Sequence, residues 1–268
     1  MTGTRSSALD RFRLDDRSAF LSGAAGHLGR AMAFALSDAG AHVILNGRDE
    51  RRLKELADEM AGKGGDVEIA TFDVGDPEAV RKFFGSRKRL DVIVNNAVTM
   101  TPRAFAALNE DEFAETYRTG VMAPFEIVRA ALPALKQARD ETGDASIVNI
   151  ASMYGTVAPD SRLYSRPEQS SPMHYGPAKA ALMQLTRHLA SELGRERIRV
   201  NALAPGPFPR ESVKAADPGF VARLAERTML GRTGEPVEIA GPLLFLASAA
   251  SSFVTGSTLT VDGGWTVW

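Results

Sequence analysis

A tyrosine and a lysine stand four positions apart in the segment Tyr175-Gly-Pro-Ala-Lys179. On a helix this spacing places both side chains on one face, about one turn apart. A phenol normally loses its proton near pH 10, but a neighbouring ammonium stabilises the phenolate and lowers that pKa. The pair is therefore suited to pass a proton to or from a substrate oxygen near neutral pH. The same spacing also describes ordinary exposed helical pairs, so the rest of the chain must decide.

A glycine-rich turn follows the first predicted strand and opens the first predicted helix. Its sequence is Ser22-Gly-Ala-Ala-Gly-His-Leu-Gly29. Glycines let the backbone approach a pyrophosphate closely, and the N-terminus of the helix adds N–H donors. The turn predicts a dinucleotide site formed by Gly23, Gly26, His27, Leu28 and Gly29. A capping or packing role is the alternative for His27.

The end of the second predicted strand indicates which dinucleotide is bound. Sites that prefer NAD usually carry an acid there, bonded to the ribose 2′-hydroxyl. This strand ends Asn46-Gly47-Arg48, and the first acid is Asp49. We expect Arg48 to hold a 2′-phosphate, so NADP is the predicted cofactor and NAD the alternative.

Short apolar runs alternate with longer helical patterns along the chain. Strands are predicted at Ser18–Ser22, His42–Asn46, Val67–Phe72, Asp91–Asn95, Ala145–Ser152, Arg197–Leu203 and Ser257–Val261. Helices are predicted at Leu28–Ala39, Glu50–Gly62, Pro77–Phe84, Glu110–Lys136, Tyr175–Leu193, Ser212–Arg227 and Pro236–Ser248. The alternation predicts an α/β fold, a Rossmann-type doubly wound parallel sheet of about seven strands with helices on both faces. We expect one domain over residues 1–268, with 1–13 as a flexible N-terminal extension.

Composition argues against several classes of function. The formal charge of −1 gives no electrostatic reason to bind nucleic acid or an anionic membrane. There are no cysteines, and the four histidines lack metal-ligand spacing, so no metal site is expected. No apolar run is long enough to span a bilayer, and residues 1–17 lack the apolar stretch of a signal peptide. The expected compartment is the cytoplasm.

Taken in order, these motifs resemble those of the short-chain dehydrogenase/reductase family over nearly the whole chain. The motifs are the glycine turn at 22–29, Asp73-Val74, Asn95-Asn96-Ala97, Ile147-Val-Asn-Ile-Ala-Ser152, Tyr175-x-x-x-Lys179, Arg199-Val-Asn201, Pro205-Gly206 and Val261-Asp-Gly-Gly264. The resemblance implies an NAD(P)-dependent oxidoreductase that transfers a hydride between the nicotinamide and a carbonyl or secondary alcohol. The protein itself would supply geometry and a proton path.

The resemblance assigns roles to matching positions. Ser152 would hydrogen-bond the substrate oxygen, and Tyr175 would act as general acid in reduction and general base in oxidation. Lys179 would bond the nicotinamide ribose and lower the pKa of the tyrosine.

The remaining motifs would bind the cofactor. Asp73 would contact the adenine ring with Val74 packed beside it, and Pro205-Gly206 would line the nicotinamide pocket. Asn95 and Ala97 would stabilise the central sheet and line the cofactor.

The chain departs from the family pattern at His27, which replaces a glycine, at Arg210, which replaces a threonine, and at two positions near the reacting groups. Gly120 falls where members usually carry an Asn that holds a water beside the lysine, and Val98 replaces a glycine near the nicotinamide. An additional water or the Thr119 hydroxyl would have to replace that Asn. The departures raise a second hypothesis, a catalytically impaired cofactor-binding or assembly protein. The Gly-x-x-Gly-x-x-Gly turn raises a third, an epimerase or dehydratase with transient hydride transfer.

The segment Tyr154–His174 fits neither helical nor strand periodicity and is predicted to cover the substrate. Its hydroxyl groups and its cations Arg162 and Arg166 favour a polar substrate, acidic or sugar-like. Candidate substrate contacts are Tyr154, His174 and Arg210. A hydrogen-bonded loop role is the alternative for His174, and a solvated charge is the alternative for Arg210.

Two predicted helices, Glu110–Lys136 and Tyr175–Leu193, carry apolar residues on more than one face. This pattern suits burial against both the sheet and a second subunit. Together with the resemblance, it predicts a homo-oligomer, a tetramer or a dimer. The apolar C-terminal segment Gly264–Trp268 is expected to pack at a subunit contact or beneath the substrate loop.

Overall fold

The computed structural model describes residues 7–165 and 170–268. The strands of its sheet are β1 Ser18–Ser22, β2 His42–Gly47, β3 Val67–Thr71, β4 Val92–Asn95, β5 Ala145–Ile150, β6 Ile198–Pro205 and β7 Thr258–Val261. They form one sheet in the order β3-β2-β1-β4-β5-β6-β7, and every neighbouring pair is parallel. The predicted doubly wound sheet is confirmed. Its strand order reverses between β1 and β4, which is where such sheets bind ligands.

Helices cover both faces of the sheet. They are α1 His27–Asp38, α2 Glu50–Ala61, α3 Pro77–Gly85, α4 Glu110–Tyr117, α5 Ala123–Thr142, α6 Tyr175–Leu193, α7 Glu211–Ala216, α8 Pro218–Glu226 and α9 Ala240–Ala247. Successive strand residues enter opposite cores, as the pleat requires. Leu21 packs with α1, α2 and α9, while Phe20 packs with α3 and α5. Burial on both faces explains why the central strands are continuous apolar runs.

Two predicted helices are interrupted. The expected helix over 110–136 is divided into α4 and α5 by a π-helical turn at Arg118–Met122. The expected helix over 212–227 ends at Ala216, and a second helix begins at Pro218. The Asp217 carboxylate accepts the Phe220 N–H at 2.7 Å and so caps the second helix. Proline suits the first helical position because its missing N–H is not needed there.

The expected N-terminal extension is partly attached to the domain. Residues 10–12 form a short 3-10 helix. The Arg11 guanidinium donates to the Ala249 carbonyl at 2.8 Å and to the Ser252 hydroxyl at 2.7 Å. Residues 10–12 thus contact the domain, the flexibility expected for 1–13 stays a prediction, and residues 1–6 lie outside the described residues.

The segment predicted to cover the substrate contains two short 3-10 turns, at Met153–Gly155 and Ser161–Leu163. Leu163 is buried in a small cluster with Met153, Leu224 and Trp265. The Arg223 guanidinium on α8 donates to the Leu163 carbonyl at 2.8 Å. The C-terminal segment thus packs beneath this loop, the second of the two expected positions, while Arg166 lies outside the described residues.

Candidate active site

A cleft of about 660 Å³ opens at the carboxyl ends of β1 and β4, at the reversal of strand order. Among the predicted site residues its walls include Gly23, Gly26, His27, Leu28, Gly29, Arg48, Asp73, Val74, Ala97, Ser152, Tyr175, Lys179, Pro205, Gly206 and Arg210. These residues come from both halves of the sequence, and the fold brings them to one edge of the sheet. Asn95, Tyr154 and His174 are the predicted site residues that do not line the cleft.

Three polar side chains meet at one end of the cleft. Ser152 follows β5 and is buried, and its hydroxyl accepts the Tyr154 N–H at 3.2 Å. Tyr175 begins α6 and hydrogen-bonds Ser152. Lys179, one turn later, has its Nζ 5.6 Å from the centre of the Tyr175 ring. Its Nζ also donates to the Ile150 carbonyl at 2.6 Å, which ties α6 to the end of β5.

Burial changes the acidity of both members of the tyrosine–lysine pair. It lowers the pKa of Lys179 to about 8, so the amine is roughly nine-tenths protonated at pH 7. Burial also raises the pKa of Tyr175, and the hydrogen bond with Ser152 opposes that rise. Burial of the phenolate is therefore the main influence on the pKa of Tyr175 in the protein alone, and its lowering by Lys179 stays a prediction.

The glycine turn forms a cradle that side chains would fill. Gly23 has φ +64°, and a Cβ there would stand 2.9 Å from the Asn96 amide nitrogen. A Cβ on Gly29 would collide with the Gly23 carbonyl oxygen. Backbone therefore faces the cleft at Gly23 and Gly29, beside the N-terminus of α1, whose dipole favours an anion. These features fit the pyrophosphate of a dinucleotide.

Arginines line the other end of the cleft, beyond β2. Arg48 is exposed and has no ion pair within residues 7–165 and 170–268. Arg52, on the first turn of α2, donates to the Ala25 carbonyl at 2.8 Å. Asp49 caps this helix by accepting the Arg52 N–H, so its carboxylate is already engaged. Arg52 was not predicted from the sequence, although its place four residues after Arg48 was a usable signal.

The Asp73 carboxylate is held in position on the same wall. It accepts the Gly75 N–H at 2.8 Å and the Arg118 guanidinium at 3.4 Å. Val74 beside it is buried. The two residues therefore form a fixed wall at the adenosine end.

Asn95 was predicted to stabilise the central sheet and to line the cofactor; the structure supports the first role, but its side chain does not line the cleft. Its side chain is buried beneath the cleft and donates to Asn149 at 2.8 Å, and Asn149 donates to Thr186 at 2.9 Å. This chain joins β4, β5 and α6. The cleft is lined instead by Asn96, which follows the end of β4 and donates to the Ser22 and Gly23 carbonyls. The sequence signal for Asn96 is its place as the first residue beyond the strand, since side chains within the strand alternate between the two cores.

The two departures near the reacting groups lie against each other. A Cβ on Gly120 would be 3.2 Å from the Val98 Cγ2, so the valine occupies the space beside this glycine. The Thr119 hydroxyl lines the cleft but donates to the Glu115 carbonyl and accepts the Thr99 N–H, both at 2.9 Å. Its single proton is therefore engaged within the helix. Thr119 retains only a free lone pair for a water.

The predicted substrate contacts occupy different places. The Tyr154 hydroxyl lies 3.0 Å from that of Tyr164, and burial raises the pKa of Tyr154, with Tyr164 and Tyr175 adding to the rise. His174 is fully buried, and its ring packs edge-on against Phe113. Burial lowers the pKa of His174.

Of the three, Arg210 alone lines the cleft, where it has no ion pair within the described part of the chain. His174 is corrected to a buried packing residue at the start of α6.

The described residues contain neither a metal-binding cluster nor a membrane-spanning helix. No group of three or more His, Cys, Asp or Glu side chains is arranged to hold a metal ion there. Within the same residues, no helix combines the length and apolarity that a membrane span needs.

Comparison with known proteins identifies the family. A family model described as enoyl-(acyl carrier protein) reductase matches residues 23–266. The chain belongs to the short-chain dehydrogenase/reductase family. This confirms the resemblance found in the sequence and places the chain among oxidoreductases.

Relatives of this short-chain dehydrogenase/reductase differ in their substrates. Galactitol 2-dehydrogenase (L-tagatose-forming) of Cereibacter sphaeroides is 36% identical over 262 residues, covering 96% of this chain and 98% of that protein. The rhamnolipids biosynthesis 3-oxoacyl-[acyl-carrier-protein] reductase of Pseudomonas aeruginosa is 31% identical over 259 residues, covering 94% of this chain and 97% of that protein.

A solved structure is similar over the whole domain. The gluconate 5-dehydrogenase of Burkholderia cenocepacia J2315, in complex with NADP and tartrate, is 34% identical with a TM-score of 0.85. The match covers 98% of this chain and 100% of that one. Similar structures include other NADP complexes, in agreement with the predicted cofactor, NADP with NAD as the alternative.

Proposed function

We propose that this protein is an NADP-preferring dehydrogenase or reductase that acts on a secondary alcohol or ketone of a polar substrate. The observation that carries the proposal is the meeting of Ser152, Tyr175 and Lys179 at one end of a cleft whose other end carries the glycine turn. Hydride transfer needs these two parts in one site, because the proton and the hydride reach the same C–O bond.

The chain's own residues would perform the proton step. When bound, the nicotinamide ring would donate or accept the hydride. In reduction, Tyr175 donates its phenolic proton to the substrate oxygen while Ser152 donates a hydrogen bond to that oxygen. In oxidation, the Tyr175 oxygen takes the proton back. Lys179, protonated at pH 7, bonds the cofactor ribose and stabilises the phenolate formed in reduction.

The preference for NADP is proposed from the adenosine end of the cleft. Arg48 has no acidic partner among the described residues, and Arg52 lies on the adjacent helical turn. Guanidinium groups suit a phosphate dianion through charge-assisted hydrogen bonds. The nearest carboxylate, Asp49, is turned toward the N-terminus of its own helix.

A polyhydroxylated or acidic substrate is proposed from the opposite end. Arg210 lies on the cleft wall and has no acidic partner in the described segments, so it suits the carboxylate of an acidic substrate. The hydroxyls of Tyr154 and Tyr164 bond each other outside the cleft wall. Sugar-type relatives support a sugar acid or polyol over an acyl thioester.

Assembly and location are proposed from the protein surface and from the sequence. The exposed apolar residues Met122, in the π-helical turn, and Phe125, on α5, suit a contact with a second copy, as a dimer or tetramer. The location proposed from the sequence is the cytoplasm. The alternative function, a cofactor-binding protein without turnover, is favoured by the packing of Val98 against Gly120, which leaves Lys179 without a side-chain partner at position 120.

One experiment tests the proposed activity. Turnover of gluconate-like acids, polyols and 3-oxoacyl esters is measured with NADP and NAD, beside the Kd of each cofactor. We expect Tyr175→Phe to lower kcat by at least about a hundredfold with an unchanged Kd for NADP. Tyr117→Phe, which removes a phenol hydroxyl outside the cleft, serves as the matched control and keeps its activity.

Two outcomes would contradict the proposal. Tight NADP binding with no turnover on any substrate would favour the cofactor-binding alternative. Equal turnover by the Tyr175 and Tyr117 variants would remove Tyr175 from the proton step.

A further inference from the structure

The Asp73 carboxylate is held from two sides while it remains open to the cleft. Its Oδ1 accepts the Gly75 N–H at 2.8 Å, and its Oδ2 lies 3.4 Å from the Nη2 of Arg118. The side chain is 33% exposed and lines the cleft, so a bound ligand can reach it. An ionised carboxylate has acceptor atoms only, so Asp73 suits a ligand group that donates a hydrogen bond.

Arg118 reaches Asp73 from outside the cleft wall. It is the first residue of the π-helical turn. Its Nε donates to one Glu115 oxygen at 2.7 Å, and its Nη2 donates to the other at 2.8 Å. This fork fixes the plane of the guanidinium from a carboxylate three residues earlier. Because Nη2 carries two protons, it can serve Glu115 and Asp73 together.

The lack of a side chain at Gly75 allows the guanidinium to reach Asp73. Gly75 is buried, and a Cβ there would overlap three atoms of the Arg118 guanidinium. The φ angle of Gly75 is not in the left-handed region, so its conformation alone does not call for glycine. The close contact with Arg118 is therefore the structural reason for a glycine at this position.

The base of a dinucleotide is a group that a fixed carboxylate distinguishes. Adenine carries an amino group that donates hydrogen bonds. Hypoxanthine has a similar ring but carries a carbonyl oxygen at that position, and a carboxylate repels it. The other carboxylate on the described cleft wall, Asp49, is engaged at the N-terminus of α2. Asp73 is thus the acid available for the base, and its orientation decides how well it discriminates.

We propose that Arg118 is a positioning residue that aims Asp73 at the amino group of the cofactor base, so that the pair sets the preference for an adenine dinucleotide. The proposal rests on the proposed dinucleotide site and names what selects its base. It also gives the π-helical turn a role at the adenosine end, in addition to the contact of its Gly120 with Val98.

Calorimetric titration with NADP and with its hypoxanthine analogue measures the preference as a ratio of two Kd values. We expect the native protein to bind NADP at least about tenfold more tightly, the effect of one hydrogen bond to a charged group. Arg118→Met should lower this ratio by about threefold or more, because the freed carboxylate can turn toward water. Arg129→Met is the matched control, since Arg129 forms the same kind of fork with Glu126 at 3.0 and 2.8 Å. It should keep the ratio of the native protein.

A second variant moves the guanidinium without removing its charge. The methyl group of Gly75→Ala should displace Arg118 from Asp73 and lower the ratio as Arg118→Met does. Combining the two variants should add nothing, because both break one contact. Gly85→Ala is the matched control, since a Cβ at Gly85 meets open space. Melting curves show that each variant is folded, and a misfolded Arg118→Met would leave the Gly75→Ala test in place.

The native protein and the variants each provide an outcome that would overturn the inference. One is the absence of any preference for adenine in the native protein. Another is an unchanged ratio in folded Arg118→Met or in Gly75→Ala, and a third is an equal loss in Arg129→Met. Absence of NADP binding by the native protein would instead contradict the proposed function.

Discussion

A buried lysine costs the folded protein free energy in order to hold a charge at the active site. Lys179 is 2% exposed, and the Ile150 carbonyl is the one hydrogen-bond acceptor that the described residues provide for its Nζ. The pKa of about 8, against an ordinary 10.5, measures this cost. The folded protein binds fewer protons than the unfolded chain between these values, so stability rises with pH across that interval.

Replacing Lys179 by Met should remove this pH dependence. The free energy of unfolding of the native protein, minus that of Lys179→Met, should rise by about 3 kcal/mol between pH 8 and pH 10.5. Urea unfolding of both proteins across this range measures the difference, in which other titrating groups cancel. A difference independent of pH would mean that the lysine has its ordinary pKa in the folded state.

At the scale of elements, the π-helical turn between α4 and α5 places Gly120 against Val98. One side chain is large where the other is absent, and the two positions share one space. Residues in such contact do not contribute independently to stability. The two departures therefore compensate each other in volume: the larger side chain at position 98 fills space that a side chain at position 120 would need.

Enlarging one position should be tolerated only when the other is reduced. Gly120→Asn alone should lower the free energy of unfolding by about 1–3 kcal/mol, because Val98 blocks the new side chain. Adding Val98→Gly should recover about 1 kcal/mol or more beyond additivity. Adding Val98→Thr, which keeps the valine shape, should recover nothing. Urea unfolding of this set measures the coupling, and additive effects would show that the two residues do not share space.

The elements themselves were largely predictable, because apolar periodicity reflects burial. Helix α6 was predicted with its observed ends, Tyr175–Leu193. The division of the helix over 110–142 was not, because the π-helical turn at 118–122 keeps the apolar period and contains no proline. Likewise, the contact between residues 98 and 120 could not be predicted from the identity of either residue alone. That contact depends on how β4 and the helix meet in space.

Residues just beyond a strand end lie on the cleft wall where the sequence placed them, whereas residues whose place depends on side-chain orientation do not. Ser152 and Arg48 line the cleft as expected, whereas Asn95 lies beneath it and His174 is buried behind it. At the end of β4, the side chain of Asn95 lies in the core, whereas the next residue, Asn96, lines the cleft. Sequence spacing does not resolve such a difference.

At the scale of the whole molecule, the substrate loop is supported by a small core of its own. Met153, Leu163, Leu224 and Trp265 are buried together, apart from the two large cores that flank the sheet. They come from the loop, from α8 and from the C-terminal segment. The last residues of the chain therefore help to position a loop that begins beside Ser152.

Removing the largest member should loosen the loop without disturbing the cofactor site. Trp265→Ala should lower the free energy of unfolding by about 3 kcal/mol, the cost of a large buried aromatic. It should also raise the KM for substrate while the Kd for NADP stays constant. Trp268→Ala, at a side chain that is 66% exposed, is the matched control and should change stability by less than about 1 kcal/mol. If both variants changed the free energy of unfolding and the KM equally, the small core would not be what supports the loop.

The same corner determines what light the protein emits. The chain contains two tryptophans, Trp265 and Trp268, and the Arg227 guanidinium lies 5.7 Å from one ring and 5.8 Å from the other. All indole fluorescence therefore originates in the C-terminal segment, next to one cation, and none comes from the sheet. Of the two rings, the buried Trp265 reports on the small core under the substrate loop, and the exposed Trp268 reports on the chain end.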